Sequence, residues 1–133
     1  NSCSRADFGD HVYFICAREL TWDAARDVCK TQAGGDLSVL DSPGEADFLR
    51  SLVSTRHWVG HTDQARTGVW TFATTGLAFW QAGMFLLPYV DARWAFGEPS
   101  PFGDCGALYA TGLLGALVCN QLEPFVCEVG PLE

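Results

Sequence analysis

The segment Trp94-Ala-Phe-Gly-Glu98-Pro99-Ser100 is followed by Asp104-Cys105, then by Cys119, and finally by Pro124-Phe-Val-Cys127-Glu128. Each of these short motifs is common on its own. Their order carries more information, because a Glu-Pro pair, an Asp-Cys pair and two further cysteines follow one another in a short C-terminal region. This region decides the fold, and the rest of the chain has to be consistent with it.

Length and composition predict one folded domain. The chain has 133 residues, 48% of them apolar, and a formal net charge of −8. We expect a single domain with its own core over residues 1–130, and a tail or cloning remnant at residues 131–133. The acidic surface would repel phosphate backbones and anionic lipid, which argues against nucleic-acid binding. The sequence has no run of 18 apolar residues, so no membrane span is predicted.

The six cysteines predict disulfides. Six cysteines allow 15 pairings, and their spacing alone does not choose among them. Metal binding is the alternative, but the sequence contains no Cys-x-x-Cys pair. Disulfides imply an oxidising compartment, so we expect a secreted or cell-surface domain.

Two helices and an early strand are predicted in the first half of the chain. Residues 8–17 contain the alternating run His-Val-Tyr-Phe-Ile-Cys, which is typical of a strand. Thr21 is a candidate N-cap for a helix through Gln32, which Gly34-Gly35 would end. A short strand is expected at residues 37–40. Ser42-Pro43-Gly44-Glu45 has the form of a capping box and predicts the second helix.

The inward face of this second helix and the later strands follow from hydrophobic spacing. We expect the helix to bury Phe48, Leu49, Leu52 and Val53. Short strands are predicted at residues 58–60, 69–72, 105–109 and 125–129. Residues 74–103 show little regular pattern, which predicts a long irregular loop. Long loops in compact domains are usually functional.

Taken in order, these features resemble the C-type lectin-like domain in its long form. The resemblance rests on Trp58-Val59-Gly60, Glu98-Pro99, Asp104-Cys105, Cys119 and Phe125-Val-Cys127-Glu128, and it runs from about Cys3 to Glu128. It implies an α+β fold in which two helices flank short antiparallel sheets, with a long loop region. It also implies the disulfides Cys3–Cys16, Cys29–Cys127 and Cys105–Cys119.

The resemblance locates a calcium and sugar site whose ligands are mostly missing. In the family, calcium is held by a Glu-Pro-Asn triplet, a Glu just before the Asp-Cys pair and a Trp-Asn-Asp triplet before the next cysteine. Here Glu98 matches the first ligand, and the other positions hold Ser100, Gly103 and Leu114-Gly115-Ala116. Calcium needs six to eight oxygens. We therefore expect no cofactor, with Glu98 and Asp104 as remnants of a metal site.

Simpler roles are expected for these two remnants. Glu98 is predicted to be a solvated loop carboxylate, and Asp104 a turn residue before a strand. The Glu98-Pro99 peptide bond could be cis or trans, since the two forms of an X-Pro bond differ by only about 0.5–1 kcal/mol.

The long loop is more apolar than an exposed loop should be. We expect Trp94, Leu77 and Phe79 to fill a small core beneath it. Met84, Phe85, Leu86, Leu87 and Tyr89 could serve either the core or an interface, because exposed apolar patches mark interaction sites. The candidate ligand-binding residues are Trp80, Met84, Phe85, Leu86, Leu87, Tyr89, Trp94, Glu98, Ser100 and Leu114.

His57 and His61 could chelate a metal if they lay on a helix. On a strand, four residues rise about 13 Å, which is too far for one metal ion. The Trp-Val-Gly sequence between them favours a strand, with the histidines at loop ends. No Gly-x-Ser-x-Gly, phosphate-loop or His-Glu-x-x-His motif occurs, so we predict no catalysis.

Three functions are compatible with these observations. The first is an extracellular recognition domain that binds a protein partner without calcium through the apolar loop. The second is a lectin whose glycan site is calcium-independent or relocated, with Trp80, Tyr89 or Trp94 stacking on the sugar. The third is self-association, with the loop forming a homodimer interface.

Overall fold

The computed structural model describes residues 3–41, 44–87 and 93–130. Two α-helices are observed, α1 (Trp22–Val28) and α2 (Glu45–Arg50), and a π-helical turn at Cys29–Ala33 extends α1. The strands are β1 (Cys3–Phe8), β2 (His11–Leu20), β3 (Asp36–Leu37), β4 (His57–Thr62), β5 (Val69–Phe72), β6 (Ala78–Gln81), β7 (Met84–Phe85), β8 (Cys105–Leu108), β9 (Leu114–Leu117) and β10 (Glu123–Val129). No helix among these residues is long and apolar enough to cross a membrane.

The strands form one sheet with the order β1-β2-β10-β4-β5-β6-β7. Strand β3 pairs with β10, and β8 joins β4 to β9. Most of the pairs are antiparallel, but β10 and β4 run parallel where Phe125 lies opposite Trp58. The predicted α+β class with two helices is confirmed.

The three disulfides have the pairing that the resemblance implied. Cys3–Cys16 joins β1 to β2, and Cys29–Cys127 joins the end of α1 to β10. Cys105–Cys119 links β8 to the segment that follows β9. The last of these lies beside the long loop, so it anchors the region where a ligand site was predicted.

The Trp58-Val59-Gly60 motif lies at the centre of the core. Trp58 is fully buried and its indole N–H donates to the Leu20 carbonyl at 2.8 Å, while the Trp22 indole donates to the Val59 carbonyl at 2.8 Å. A Cβ atom at Gly60 would lie 2.7 Å from the Leu37 carbonyl oxygen. Only glycine lets β4 approach that backbone so closely.

Helix α1 begins where the sequence predicted and changes type before its predicted end. The Thr21 hydroxyl accepts from the Ala24 N–H at 3.3 Å, which confirms the N-cap. The α-helical part stops at Val28, and the π-helical turn continues to Ala33. Gly34 then ends the element in the left-handed conformation with φ of 79°.

Helix α2 departs from the predicted capping box. Its N-cap is Gly44, which offers no side-chain hydrogen bond, while Ser42 and Pro43 lie outside the described residues. The Glu45 carboxylate does reach back, but it accepts from the Asp41 N–H at 3.0 Å. Glu45 is fully buried, so its contacts with the core outweigh a local cap.

The inward face of α2 is only partly as expected. Leu49 and Val53 are buried, and Phe48 is partly buried against the core. Leu52 was predicted to be buried, but its side chain is 41% exposed. Helix α2 ends at Arg50, so the helical spacing that placed Leu52 inward no longer applies.

The predicted irregular loop contains a β-hairpin. Strands β6 and β7 pair antiparallel, with Trp80 opposite Phe85 and Gln81 opposite Met84. The turn between them consists of Ala82 and Gly83, both with positive φ (54° and 79°). Positive φ at both central residues is the mark of a type I′ turn. The sequence did not predict the hairpin, because alanine is an unusual residue at the first central position.

Ala82→Asn is expected to stabilise the protein by about 1 kcal/mol, because alanine is strained at positive φ whereas asparagine adopts this conformation more readily. Urea denaturation would measure the change. Ala110→Asn is the matched control, since Ala110 is also exposed and lacks a positive φ. Equal effects of the two changes would contradict the assignment of strain to Ala82.

Candidate functional site

The Glu98 carboxylate is held by three hydrogen bonds within the protein. Its Oε1 accepts from the N–H groups of Ser100 at 2.7 Å and Ala116 at 3.0 Å. Its Oε2 accepts from the Tyr109 hydroxyl at 3.3 Å. The Glu98-Pro99 peptide bond is cis. Glu98 is therefore not the solvated carboxylate that the sequence predicted, because it ties the loop to β9.

Two glycines leave little room beside this hydrogen-bond network. A Cβ atom at Gly103 would lie 2.6 Å from the backbone of Ala116 and Leu117, and one at Gly115 would overlap the Tyr109 hydroxyl. The resemblance places oxygen-bearing calcium ligands at both glycine positions. Such side chains do not fit here unless β9 or the Tyr109 ring moves.

Tyr109 remains a hydrogen-bond donor in this network. Partial burial raises the pKa of its hydroxyl, and the neighbouring Glu98 carboxylate raises it further. The proton is therefore retained at neutral pH and points to Glu98. The hydrogen bond from Tyr109 stabilises part of the negative charge of Glu98 that a bound cation would otherwise stabilise.

The residues at this place do not fit a calcium ion. Calcium takes six to eight oxygen ligands, several of them charged. Glu98 supplies one carboxylate, and both of its oxygens already accept hydrogen bonds. The Ser100 hydroxyl oxygen accepts from the Phe102 N–H at 3.2 Å. Among the residues that the structure describes at this place, the oxygens that remain are too few for the ion.

Asp104 is exposed and precedes β8. Its backbone carbonyl accepts from the Thr62 hydroxyl at 2.8 Å and from the Asp63 N–H at 3.1 Å. Burial raises the pKa of the Asp63 carboxyl, and the neighbouring Asp104 carboxylate adds to the effect. This contact between two acidic groups lies next to the β4–β8 pair.

Aromatic rings join the β6–β7 hairpin to the segment before Glu98. The Trp80 ring lies edge-on to Phe85 at 4.7 Å and to Trp94 at 5.9 Å between centroids. Trp94 also meets Trp70 edge-on at 5.1 Å. These rings pack against the main core. The hairpin and the segment before Glu98 therefore form one packed unit.

Four large apolar side chains of this region are exposed to solvent, two at the hairpin and two on either side of Glu98. Met84 is 64% exposed and Leu86 46%, while Phe102 is 86% exposed and Phe96 fully so. We call Met84, Leu86, Phe96 and Phe102 the exposed loop residues. The guanidinium of Arg93 lies 5.9 Å from the centre of the Phe85 ring in the same hairpin region.

Comparison with known proteins decides the family. A family model described as the Lectin C-type domain matches residues 18–129. This chain belongs to the C-type lectin domain family. It is 30% identical over 138 residues to regenerating islet-derived protein 3-alpha of Mus musculus, covering 91% of this chain and 72% of that protein. It is also 30% identical over 125 residues to polycystin-1 of Homo sapiens, covering 91% of this chain but only 3% of that protein.

A solved structure supports the same fold. The carbohydrate-recognition domain of the mouse scavenger receptor C-type lectin matches with a TM-score of 0.81 at 22% identity, covering 97% of this chain and 95% of that chain. C-type lectin domains are binding domains for glycans or proteins. With three disulfides and this family, the domain is secreted or extracellular.

The structure separates the predicted ligand-binding residues of this C-type lectin domain by exposure. Met84 and Leu86 are exposed. Leu114 is fully buried in β9, which leaves it no surface for a ligand, so we remove it from the candidate set. Tyr89 lies outside the described residues. The partly buried members are Trp80, Phe85, Leu87, Trp94, Glu98 and Ser100.

The small core beneath the loop is also only partly as predicted. Phe79 is fully buried, and Trp94 is partly buried and forms a β-bridge with Leu114. Leu77 was expected to be buried, but it is 52% exposed. It follows the turn at Gly76 and precedes β6, so the strand alternation that buries Phe79 does not extend to it.

Sequence reasoning missed Phe96 and Phe102 as candidate surface residues. Both lie beside residues typical of turns, Gly97 and Pro101, where a phenylalanine has no strand or helix to turn it inward. That position was the signal that could have identified them. Their exposure makes them stronger candidates for partner contact than Trp80 or Trp94.

The two histidines of β4 are structural. The predicted strand is confirmed, and both residues are buried. His57 begins β4 at the end of the preceding loop, as predicted, whereas His61 lies inside the strand, so its placement at a loop end was wrong. The His61 ring packs against Phe79, and its Nε2 accepts from the Leu40 N–H at 3.1 Å. Burial lowers the pKa of His61 to about 3 and also lowers the pKa of His57. Both rings are therefore neutral at physiological pH.

Three acidic residues outside the loop sequence lie close together. Ligand oxygens of Asp41, Glu45 and Glu128 come within 4.8 Å of one another, a spacing that could hold a cation. The oxygens of Glu45 already accept hydrogen bonds from the Tyr13 hydroxyl at 2.5 Å and from the Asp41 N–H. Hydrogen-bond donors of the protein itself therefore compensate the Glu45 carboxylate in this acidic group.

The surroundings of Glu128 in this acidic group favour its protonated form. Burial and then the Glu45 charge raise the pKa of Glu128 to about 7. Its Oε1 accepts from the Ser38 hydroxyl at 2.8 Å, and its Oε2 lies 2.6 Å from His11 Nδ1. These contacts only partly offset the burial, so Glu128 binds a proton near neutral pH.

Proposed function

We propose that this C-type lectin domain recognises a protein partner, without calcium and without catalysis, through its exposed loop residues. The observation that carries the proposal is the exposure of Met84 and Leu86 at the β6–β7 hairpin and of Phe96 and Phe102 on either side of Glu98. Ring packing already holds the hairpin backbone beneath Met84 and Leu86, so binding there requires little further backbone ordering. Interface cores are enriched in phenylalanine and methionine.

The state of Glu98 supports independence from calcium. A calcium site needs several charged oxygens, whereas Glu98 is a single carboxylate that already accepts three hydrogen bonds from the protein itself. The Tyr109 hydroxyl and the backbone of Ala116 and Leu117 occupy the space that ligand side chains at Gly115 and Gly103 would need. The exposed loop residues are therefore the surface of this region that is available to a partner.

Fluorescent tetramers of the domain, applied to a panel of cell lines, test the proposal. We expect staining that is equal in calcium and in chelator, survives removal of glycans and is lost after brief protease treatment of the cells. Changing Phe96 and Phe102 together to serine should reduce staining at least about tenfold, since central aromatic residues often contribute 2 kcal/mol or more to an interface.

Val118→Ser with Leu122→Ser is the matched control, because these side chains are also exposed but lie outside the loop. This control should stain like the unchanged domain. Staining that a chelator or glycan removal abolishes would establish the lectin alternative, and no staining at all would refute the proposal. Light scattering that shows a dimer broken by the Phe96 and Phe102 changes would favour self-association.

A further inference from the structure

A small cleft lies between the end of α1 and the face of β2 and β10. Its volume is about 180 Å³. Alternation along β2 places Phe14, Cys16 and Arg18 on one face, and the antiparallel register puts Phe125 opposite Cys16. The opposite wall of the cleft is formed by Val28 of α1 and by Gln32 and Ala33 of the π-helical turn.

The cleft combines an apolar interior with a positive charge. Phe14, Val28, Ala33 and Phe125 contribute hydrocarbon surface, and Cys16 contributes a disulfide. Arg18 lines the same cleft and is exposed. Within residues 3–41, 44–87 and 93–130 it forms no ion pair, in contrast to arginines such as Arg5, Arg26, Arg50 and Arg56. In a chain with a net charge of −8, an arginine without an acidic partner is notable.

We propose that this cleft binds a small aromatic carboxylate. A cavity of about 150 Å³ lined by apolar side chains is known to accept a benzene ring, so a cleft of this volume suits a single ring. The guanidinium of Arg18 would bind the carboxylate, for which its planar pair of N–H donors is well shaped. A one-carbon to three-carbon linker between ring and carboxylate lets both contacts form together.

This cleft is independent of the loop and of the proposed partner. It shares no residue with the exposed loop residues or with the Glu98 network. Failure of one proposal therefore leaves the other unaffected.

NMR titration with 3-phenylpropanoate tests the inference. We expect a dissociation constant of about 1 mM or lower, with the largest amide shifts at Phe14, Val28 and Ala33. The neutral analogue 3-phenylpropan-1-ol has the same ring and linker, and it should bind about three- to fivefold more weakly because it cannot pair with Arg18. Equal affinity for the two compounds would overturn the role of Arg18, and no shifts at these residues up to 10 mM, about ten times the expected constant, would overturn the site.

Two variants distinguish the contribution of the Arg18 charge from that of the apolar cleft. Arg18→Gln should weaken carboxylate binding about three- to fivefold and leave the alcohol unchanged. Arg66→Gln, which removes an exposed arginine outside the cleft, should change neither. Ala33→Leu should reduce binding of both compounds by filling the cleft, with the dispersed NMR spectrum showing that the fold is retained. Unchanged binding in both Arg18→Gln and Ala33→Leu would refute the site.

Discussion

Replacing Cys29 and Cys127 together by alanine is expected to lower the free energy of unfolding by about 5 kcal/mol. The two residues are 98 positions apart, so their disulfide closes a loop that spans most of the chain. In the chain-entropy account, the stabilisation grows with the logarithm of loop length and reaches about 4.7 kcal/mol for a loop of this size. Urea denaturation of the variant and of the unchanged protein measures the difference.

The matched control is the double alanine variant of Cys105 and Cys119, whose loop closes over only 14 residues. That variant should lose about 3 kcal/mol. If the Cys29 and Cys127 variant unfolds too readily to measure, its far-ultraviolet circular dichroism should show a loss of structure that the control does not share. Equal losses in the two variants would contradict the dependence on loop length.

Stability is expected to fall as the pH rises from about 5 to 8, because of Glu128. The pKa of this carboxyl is raised from 4.5 to about 7 in the folded state. A raised pKa means that the folded protein binds the proton more tightly than the unfolded chain does. The stabilisation is therefore complete below pH 4.5 and is lost as the pH rises through 7, with a total of about 3 kcal/mol.

Glu128→Gln should remove most of this slope, since glutamine keeps the hydrogen-bond acceptor for Ser38 but does not ionise. The charged or titratable groups that face Glu128 are Asp41, Glu45, His11 and Tyr13, and they stay in place in the variant. Urea denaturation at pH 5, 6, 7 and 8 provides the measurement. Glu19→Gln is the control at an exposed carboxylate. Parallel pH profiles for all three proteins would refute the prediction.

Much of the fold could be predicted because its signals are local. The N-cap at Thr21 and the stop at Gly34 depend on the conformation of a few neighbouring residues, and both are observed. The short strands predicted at 58–60 and 69–72 are also observed, within β4 and as β5. The disulfide pairing came from the family resemblance, since spacing alone leaves fifteen possibilities open.

The failures have a common physical cause, which is that tertiary contacts override local patterns. Glu45 completes no capping box because it is buried against Tyr13, a residue of β2. The β6–β7 hairpin forms although Ala82 is a poor turn residue, because Trp80 and Phe85 pack against the core. Leu114 was a candidate ligand-binding residue, yet it pairs in β9 and lies in the core.

The Glu98-Pro99 segment shows most clearly what the sequence determines and what the tertiary structure determines. The sequence by itself determined the family, the order of its elements and the absence of most calcium-binding oxygens around Glu98. Only the tertiary structure decided what Glu98 does instead, because its partners Tyr109 and Ala116 are distant in sequence and are brought together by the β8–β9 pairing. Hydrogen-bond partners across strands depend on register and three-dimensional proximity, which a local sequence pattern does not contain.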